Sequence, residues 1–76
     1  MFDYTKLKVA IKNKYRSQKA FACALGISYV SLNQRLNNHL PWRNDEVLRA
    51  CRLLNIPIEI SHLYFLILDK EKLVSS

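Results

Sequence analysis

The chain has 76 residues and a mass of 8.9 kDa, enough for one domain but too little for a catalytic domain beside a ligand-binding domain. Half of the residues are hydrophobic and only one is glycine, which favours a compact, mostly helical fold and excludes a disordered or collagen-like chain. The formal net charge is +6, and eight of the twelve basic residues lie between Tyr4 and Asn44, where no residue is acidic. This basic half suits a polyanionic partner, either nucleic acid or an anionic membrane, although a solvated lysine face would have the same composition.

The first two predicted helices lie within this basic half. Asp3 is placed to cap the first helix, which ends near Tyr15 and carries its apolar residues on one face. Ser17 is the expected cap of a second helix over residues 18–25. Gly26 follows at the position where a helix end favours a left-handed backbone.

The third predicted helix is capped by Ser28 and runs from Tyr29 to about Asn37. Only Leu32 and Leu36 are clearly apolar and inward-facing in this segment. The side chains that we expect to face outward are uncharged and suited to hydrogen bonds or apolar contact. They are Tyr29, Val30, Asn33, Gln34 and Asn37.

A loop in which Trp42 is expected to cover the core leads to a fourth helix, with Asn44 as its predicted cap. The buried stripe of this helix is predicted to consist of Val47, Leu48, Cys51 and Leu54. Pro57 ends the helix, and a short fifth helix is expected from about Ile58 to Tyr64. Residues 66–68 could end that helix or form a short strand. The predicted fold is therefore an all-α, five-helix domain over residues 1–66, followed by a C-terminal tail over residues 67–76.

Two short helices joined by a glycine turn suggest a helix-turn-helix motif. Gly26 permits the reversal without a Cβ clash, and Ala22 is small enough for the helices to cross closely. Phe21, Leu25 and Leu32, together with Ile27, would form the apolar wedge between the helices.

The segment 18–37, which reads QKAFACALGISYVSLNQRLN, resembles the Cro and phage-repressor type of helix-turn-helix family. Three flanking segments, FDY (2–4), PWRNDE (41–46) and IPIEISHLYF (56–65), are similar to a narrower group. That group comprises the small Cro-like or repressor-modulating regulators of temperate phages from Gram-positive bacteria. The resemblance extends over residues 2–65.

The resemblance implies a five-helix domain that places its third helix in the DNA major groove. The base-reading residues would be Tyr29, Val30, Asn33 and Gln34. Asn and Gln can bind adenine through two hydrogen bonds, and Val can contact a thymine methyl group. Helix amino termini and basic side chains would contact the phosphates. The phosphate contacts would be Gln18, Lys19, Ser28, Ser31, Arg35, Asn37, Asn38, His39 and Arg43.

Two positions depart from the family pattern. Arg35 stands where many members have an apolar residue, so we expect Leu36 to take the core position and leave Arg35 for phosphate. Asn38 replaces a glycine that often follows the third helix, and asparagine tolerates the left-handed backbone.

The sequence gives little support to catalysis or metal binding. No set of nucleophile, base and orienting residue is visible, and one glycine cannot build a phosphate-binding loop. Cys23, Cys51, His39 and His62 lack the paired short spacings of a zinc site. We therefore expect a protein without enzymatic activity, cofactor or metal, whose cysteines are reduced thiols. No apolar run approaches the roughly 18–20 residues that span a bilayer, and no signal-peptide pattern opens the chain, so a cytoplasmic location in the bacterial host is expected.

These observations lead to two hypotheses. The first is a Cro-like phage repressor that occupies an operator of double-stranded DNA, binds it as a homodimer and takes part in the lysogeny switch. The alternative is an antirepressor or modulator that binds a partner phage repressor protein. The residues predicted for a dimer or partner interface are Leu63, Phe65, Leu66 and Leu68.

Overall fold

The computed structural model describes residues 1–68. It contains five α-helices: α1 (Thr5–Tyr15), α2 (Gln18–Leu25), α3 (Tyr29–Leu36), α4 (Asn44–Leu54) and α5 (His62–Phe65). A 3₁₀ turn over Ile58–Ile60 precedes α5. Within the described residues, β pairing is limited to an isolated antiparallel bridge between Phe2 and Leu68. The all-α, five-helix prediction is confirmed, and the segment 66–68, left open between helix end and strand, contributes to this bridge.

The core lies around α2, which contacts α1, α3 and α4, while α1 also packs against α4 and α5. Phe21 of α2 is completely buried, together with side chains from the other long helices. The buried hydrophobic residues are Tyr4, Leu7, Ile11, Phe21, Ala22, Leu25, Leu32, Leu36, Ala50, Cys51, Ile56 and Phe65. Every α-helix therefore contributes to one continuous core.

The caps of α2 and α3 are those predicted from the sequence. The Ala20 amide donates to Ser17 Oγ at 3.1 Å, and the Ser31 amide donates to Ser28 Oγ at 3.0 Å. Each bond satisfies an amide that has no acceptor within its own helix. Gly26 has a φ of 88°, in the left-handed region, which confirms the turn predicted between α2 and α3.

The starts of α1 and α4 differ from the prediction by one residue. Tyr4 precedes α1, and Asp3 instead accepts hydrogen bonds from the Thr5 amide and hydroxyl at 2.9 and 2.6 Å. Arg43 is the residue before α4, so Asn44 is helical and is not the cap. Glu46 caps the start of α4 from within the helix, since its Oε1 accepts from the Arg43 amide at 3.0 Å.

The buried face of α4 also differs from the predicted stripe. Leu48 is 50% exposed, whereas Ala50 and Glu46 are buried. The predicted members Val47, Cys51 and Leu54 are buried or half-buried. The helix is therefore rotated so that a carboxylate, and not Leu48, faces the interior.

The buried carboxylate of Glu46 is paired with Arg35 of α3. Arg35 Nε donates to Glu46 Oε1 and Arg35 Nη2 donates to Glu46 Oε2, both at 2.9 Å. The two side chains are only 11% and 5% exposed. Arg35 Nη1 also donates to the Ser31 carbonyl and hydroxyl oxygens at 2.9 and 2.8 Å. The pair therefore fastens the carboxyl-terminal half of α3 to the first turn of α4.

The pKa of Glu46 reflects two opposing effects. Burial disfavours the charged carboxylate, but hydrogen bonds from the Arg35 side chain and the Arg43 amide, together with the charges of both arginines, outweigh burial. The pKa of Glu46 is therefore lowered from its ordinary value of 4.5. The carboxylate is ionised at neutral pH, as the ion pair requires.

Replacing Glu46 with glutamine should destabilise the fold strongly, because the buried Arg35 guanidinium would lose its counter-charge. Removal of one partner of a buried ion pair costs about 3–5 kcal/mol. Urea unfolding should show this loss in Glu46→Gln. The matched control is Glu59→Gln, which removes an exposed carboxylate and should change the unfolding free energy by less than about 0.5 kcal/mol. Equal, small effects of both substitutions would contradict the role given to Glu46.

The Glu46 ion pair should also make stability depend on acid pH. Because the pKa of Glu46 is lower in the folded than in the unfolded state, its contribution is present above the ordinary value of 4.5 and is lost as pH falls through the lowered pKa. The unfolding free energies of the wild type and Glu46→Gln should therefore converge below that pH. Urea titrations at a series of pH values would measure the difference, and a difference that stays constant down to strongly acid pH would contradict the assignment.

Candidate functional site

The four residues predicted to read DNA bases lie together on one face of α3. Tyr29 is 41% exposed and Val30 is 65% exposed, Gln34 is also exposed, and Asn33 is half-buried. All four line a shallow hollow of about 210 Å³, which Asn37 and His39 complete. This α3 face is uncharged and mixes amide groups with exposed apolar surface, so it can contact either base edges or a protein.

Asn37, predicted to contact phosphate, makes its hydrogen bonds within α3. Its Nδ2 donates to the Asn33 carbonyl oxygen at 2.9 Å and to Asn33 Oδ1 at 2.8 Å. The second bond fixes the orientation of the Asn33 amide and occupies one of its acceptor positions. Asn37 therefore acts as a support for Asn33 on the α3 face.

The prediction that Arg35 is free to contact phosphate is wrong. Its guanidinium donates to Glu46 and Ser31, and its side chain is 11% exposed. Ser31 is engaged in the same contact, since its hydroxyl accepts from Arg35. Arg35 could not be assigned to the interior from the sequence, because its partner Glu46 lies on a different helix.

The side chain of Asn38 also makes its hydrogen bonds within the chain. It adopts the expected left-handed backbone, with a φ of 64°. Its Oδ1 accepts from the Phe2 amide at 3.0 Å, and its Nδ2 donates to the Phe2 carbonyl oxygen at 2.9 Å. Both ends of the Asn38 amide group therefore hold the amino-terminal segment, while its contact to phosphate stays a prediction.

The other predicted phosphate contacts remain accessible to a partner. Lys19 in the first turn of α2 is exposed and Gln18 is half-buried, while His39 and Arg43 are exposed in the loop before α4. Arg43 lies near an acidic neighbour, with its Nε 3.5 Å from Asp45 Oδ1. That pair is well exposed on both sides, so it contributes little stability and leaves Arg43 available.

The residues predicted for a partner interface divide between core and surface. Phe65 is 4% exposed and belongs to the core, so its assignment to an interface is wrong. Trp42 packs edge-on against Phe65 with a ring-centroid distance of 5.0 Å, which confirms that Trp42 covers the core. Leu66 and Leu68 are 60% and 45% exposed, and Leu63 is half-buried.

Leu66 lines a hollow at the side of the fold where Trp42 packs against Phe65. This aromatic groove has a volume of about 560 Å³. Its apolar lining includes Phe2, Tyr4, Trp42, Phe65 and Leu66. The pKa of Tyr4 is raised by burial, so its hydroxyl stays neutral. These five side chains therefore give the groove an apolar and uncharged surface.

The cysteines and histidines do not come together as a metal site. Within residues 1–68 there is no group of three His, Cys, Asp or Glu side chains placed to hold a metal ion. Cys23 is exposed, whereas Cys51 lies in the core, where burial raises the pKa of its thiol. No described helix is long and apolar enough to cross a membrane.

Residues 1–67 match the model of the protein family DUF739, which carries the description "protein of unknown function". The chain belongs to this family. Among solved structures, it is similar to the solution structure of the modulator of repression (MOR) of the temperate bacteriophage TP901-1 from Lactococcus lactis. The sequences are 33% identical, the TM-score is 0.76, and the match covers 84% of this chain and 86% of the MOR chain. A search of curated proteins gives no match. The family member described here is thus similar to a phage regulatory protein, while its assignment to the Cro type stays a prediction.

Replacing Asn38 with alanine should loosen the amino-terminal segment. The substitution removes two hydrogen bonds to Phe2, each with a typical net contribution of about 1 kcal/mol, and leaves a less favourable left-handed residue. Amide hydrogen exchange should accelerate at Phe2 and Asp3. Asn13→Ala, an exposed substitution in α1, is the control and should leave these rates unchanged. Unchanged exchange in Asn38→Ala would show that Asn38 does not hold the segment.

Proposed function

We propose that this protein modulates a phage genetic switch by binding a repressor protein. The observation that carries the proposal is the likeness to the TP901-1 modulator of repression over most of both chains. That likeness supports the modulator hypothesis better than the Cro-like hypothesis. The predicted site would be a protein-binding surface without catalysis, cofactor or metal, acting in the cytoplasm of the bacterial host.

The use of polar side chains on α3 and in the following loop supports a protein partner. Arg35, Asn37 and Asn38 were expected to contact DNA phosphates, but all three make hydrogen bonds within the chain. The α3 face instead exposes Tyr29 and Val30, side chains that can bury apolar area against a protein. We assign the α3 face as one contact surface for the repressor.

The mechanism would be a change in operator occupancy by the repressor. A modulator that binds the free repressor more tightly than the DNA-bound repressor removes it from the operator, whereas the opposite preference stabilises the bound state. The sign of the effect depends on this difference in affinity. Either outcome needs only binding to the repressor and no chemical reaction.

Direct, sequence-specific DNA binding is the second candidate. It is favoured by the grouping of Tyr29, Val30, Asn33 and Gln34 on the face of a helix that follows a glycine turn, within an acid-free basic half. Arg43, Lys19 and the amino terminus of α2 would supply the phosphate contacts. A homodimer would be expected in that case, because one small module buries only about 600–1,000 Å² on DNA.

A gel-shift experiment separates the two candidates. The components are this protein, the repressor encoded in the same phage genome and a duplex containing that repressor's operator. The modulator proposal predicts that the protein changes the repressor–operator complex and gives no preferential shift of the operator alone. A preferential shift by the protein alone, with no effect on the repressor, would refute the proposal and support direct DNA binding.

A pair of matched substitutions tests the α3 face in the same assay. Val30→Glu places a charge on this face and should weaken repressor binding about tenfold or more, since an unpaired charge would be buried at the contact. Leu48→Glu makes a comparable change at an exposed position of α4, where Leu48 is 50% exposed, and should have little effect. Circular dichroism would confirm that both variants are folded. Equal binding by both variants would remove the α3 face from the interface.

A further inference from the structure

A stripe of basic side chains runs along α1, separate from the α3 face. Lys8 and Lys12 are four residues apart on α1, a rise of about 6 Å along the helix, and Arg16 follows directly after the helix as its carboxyl-terminal cap. They line a hollow of about 280 Å³ between α1 and the start of α2. The remaining lining residues of this α1 hollow are Thr5, Val9, Ser17 and Gln18.

The positive charge of the α1 hollow is not neutralised within the described part of the chain. None of the lining residues is acidic, and none of the ion pairs found in residues 1–68 includes Lys8, Lys12 or Arg16. The carboxylate of Glu46 is taken by Arg35, and that of Asp45 lies beside Arg43 and Arg49. The hollow is therefore complementary to an external group of negative charges.

One feature of the hollow indicates more than a diffuse charge. Val9 lies among the basic residues and is 52% exposed, so the hollow has an apolar side chain on its surface.

We infer that the α1 hollow binds an acidic helix of a partner protein. Carboxylates at four-residue intervals on that helix would face Lys8, Lys12 and Arg16, and an apolar side chain between them would cover Val9. The inference rests on the proposed function, in which the partner is the repressor. The further inference is that the part of the repressor at the hollow is an acidic helix. The basic DNA-binding surface of the repressor would not bind there, because two basic surfaces repel each other.

The exposed valine favours a protein over a nucleic acid in this hollow. A DNA backbone presents charged phosphates and sugars and has no apolar side chain to cover Val9. A protein helix can present carboxylates and an aliphatic group on the same face, at the spacing of the lysines. The hollow shares no lining residue with the α3 face.

The test uses a synthetic helical peptide with glutamate at every fourth position and leucine beside it on the same face. Fluorescence anisotropy would measure its binding to the wild type, Lys12→Glu and Lys14→Glu. Both variants change the charge of exposed α1 residues by the same amount, but only Lys12 lines the hollow. We expect about tenfold weaker binding for Lys12→Glu and less than twofold for Lys14→Glu, because exposed ion pairs act over short distances in salt. Equal losses would show a diffuse field and overturn the inference.

Val9→Thr tests the apolar part of the contact without changing charge. The substitution keeps the branched shape and replaces one methyl group with a hydroxyl, so peptide affinity should fall about fourfold, as expected for the loss of roughly 0.8 kcal/mol of apolar burial. Random duplex DNA is the second probe. If DNA binds and the peptide does not, or if Val9→Thr leaves peptide binding unchanged, the assignment to an acidic protein helix is wrong.

A binding assay with the repressor separates this inference from the proposed function. If the wild type binds the repressor and Lys12→Glu binds it as well as Lys14→Glu does, the proposed function holds and the α1 hollow is not part of the interface. If the wild type does not bind the repressor, the proposed function fails and with it the identity of the partner, while the peptide assay still decides whether the hollow accepts an acidic helix. If Lys12→Glu weakens repressor binding and Lys14→Glu does not, the result supports both the proposed function and the α1 hollow as part of the interface.

Discussion

The buried ion pair between Arg35 and Glu46 is the constraint on which the geometry of the α3 face depends. Only Leu32 and Leu36 of α3 are buried, so apolar packing attaches this helix to the core through just two side chains. The bidentate contact to Glu46 adds a directional attachment, and Glu46 is itself fixed by the Arg43 amide. Removal of either charge would leave the other buried and unpaired, so the two residues form a unit. The orientation of α4 places this carboxylate inside together with Ala50 and Cys51 and leaves Leu48 exposed.

The same ion pair changes the chemical character of the surface beside α3. Arg35 would have given this face a strong phosphate ligand, but its donors are used inside the chain. Asn37 and Asn38 also make hydrogen bonds within the chain, Asn37 to Asn33 and Asn38 to Phe2, although these bonds lie at the surface. The exposed surface that remains is uncharged and includes the aromatic ring of Tyr29 and the methyl groups of Val30. Such a surface can bury apolar area against a protein or contact base edges, but it offers no charged group to a DNA phosphate.

Charge and shape are thus divided between different parts of a small fold. The α3 face offers shape and hydrogen-bonding groups, the aromatic groove beside Trp42 offers apolar area, and the α1 hollow offers concentrated positive charge. A single partner could use more than one of them, since separate weak contacts on a rigid support add to one binding free energy. The likeness to a phage modulator of repression and the hydrogen bonds of Arg35, Asn37 and Asn38 within the chain both motivate the proposal of a protein partner.

The sequence by itself determined the features that depend on near neighbours in the chain. Ser17, Ser28 and Gly26 act within a few residues of their own positions, so the bounds of α2 and the start of α3 could be predicted from offsets alone. The four residues of the α3 face were found in the same way, because they share one side of a single helix. Only the tertiary structure decided which groups Arg35 and Asn38 bind, because their partners are 11 and 36 residues away in the sequence. A long polar side chain at a helix surface or end has the same sequence pattern whether it meets solvent, a ligand or another helix, and only the packing of the helices selects among them.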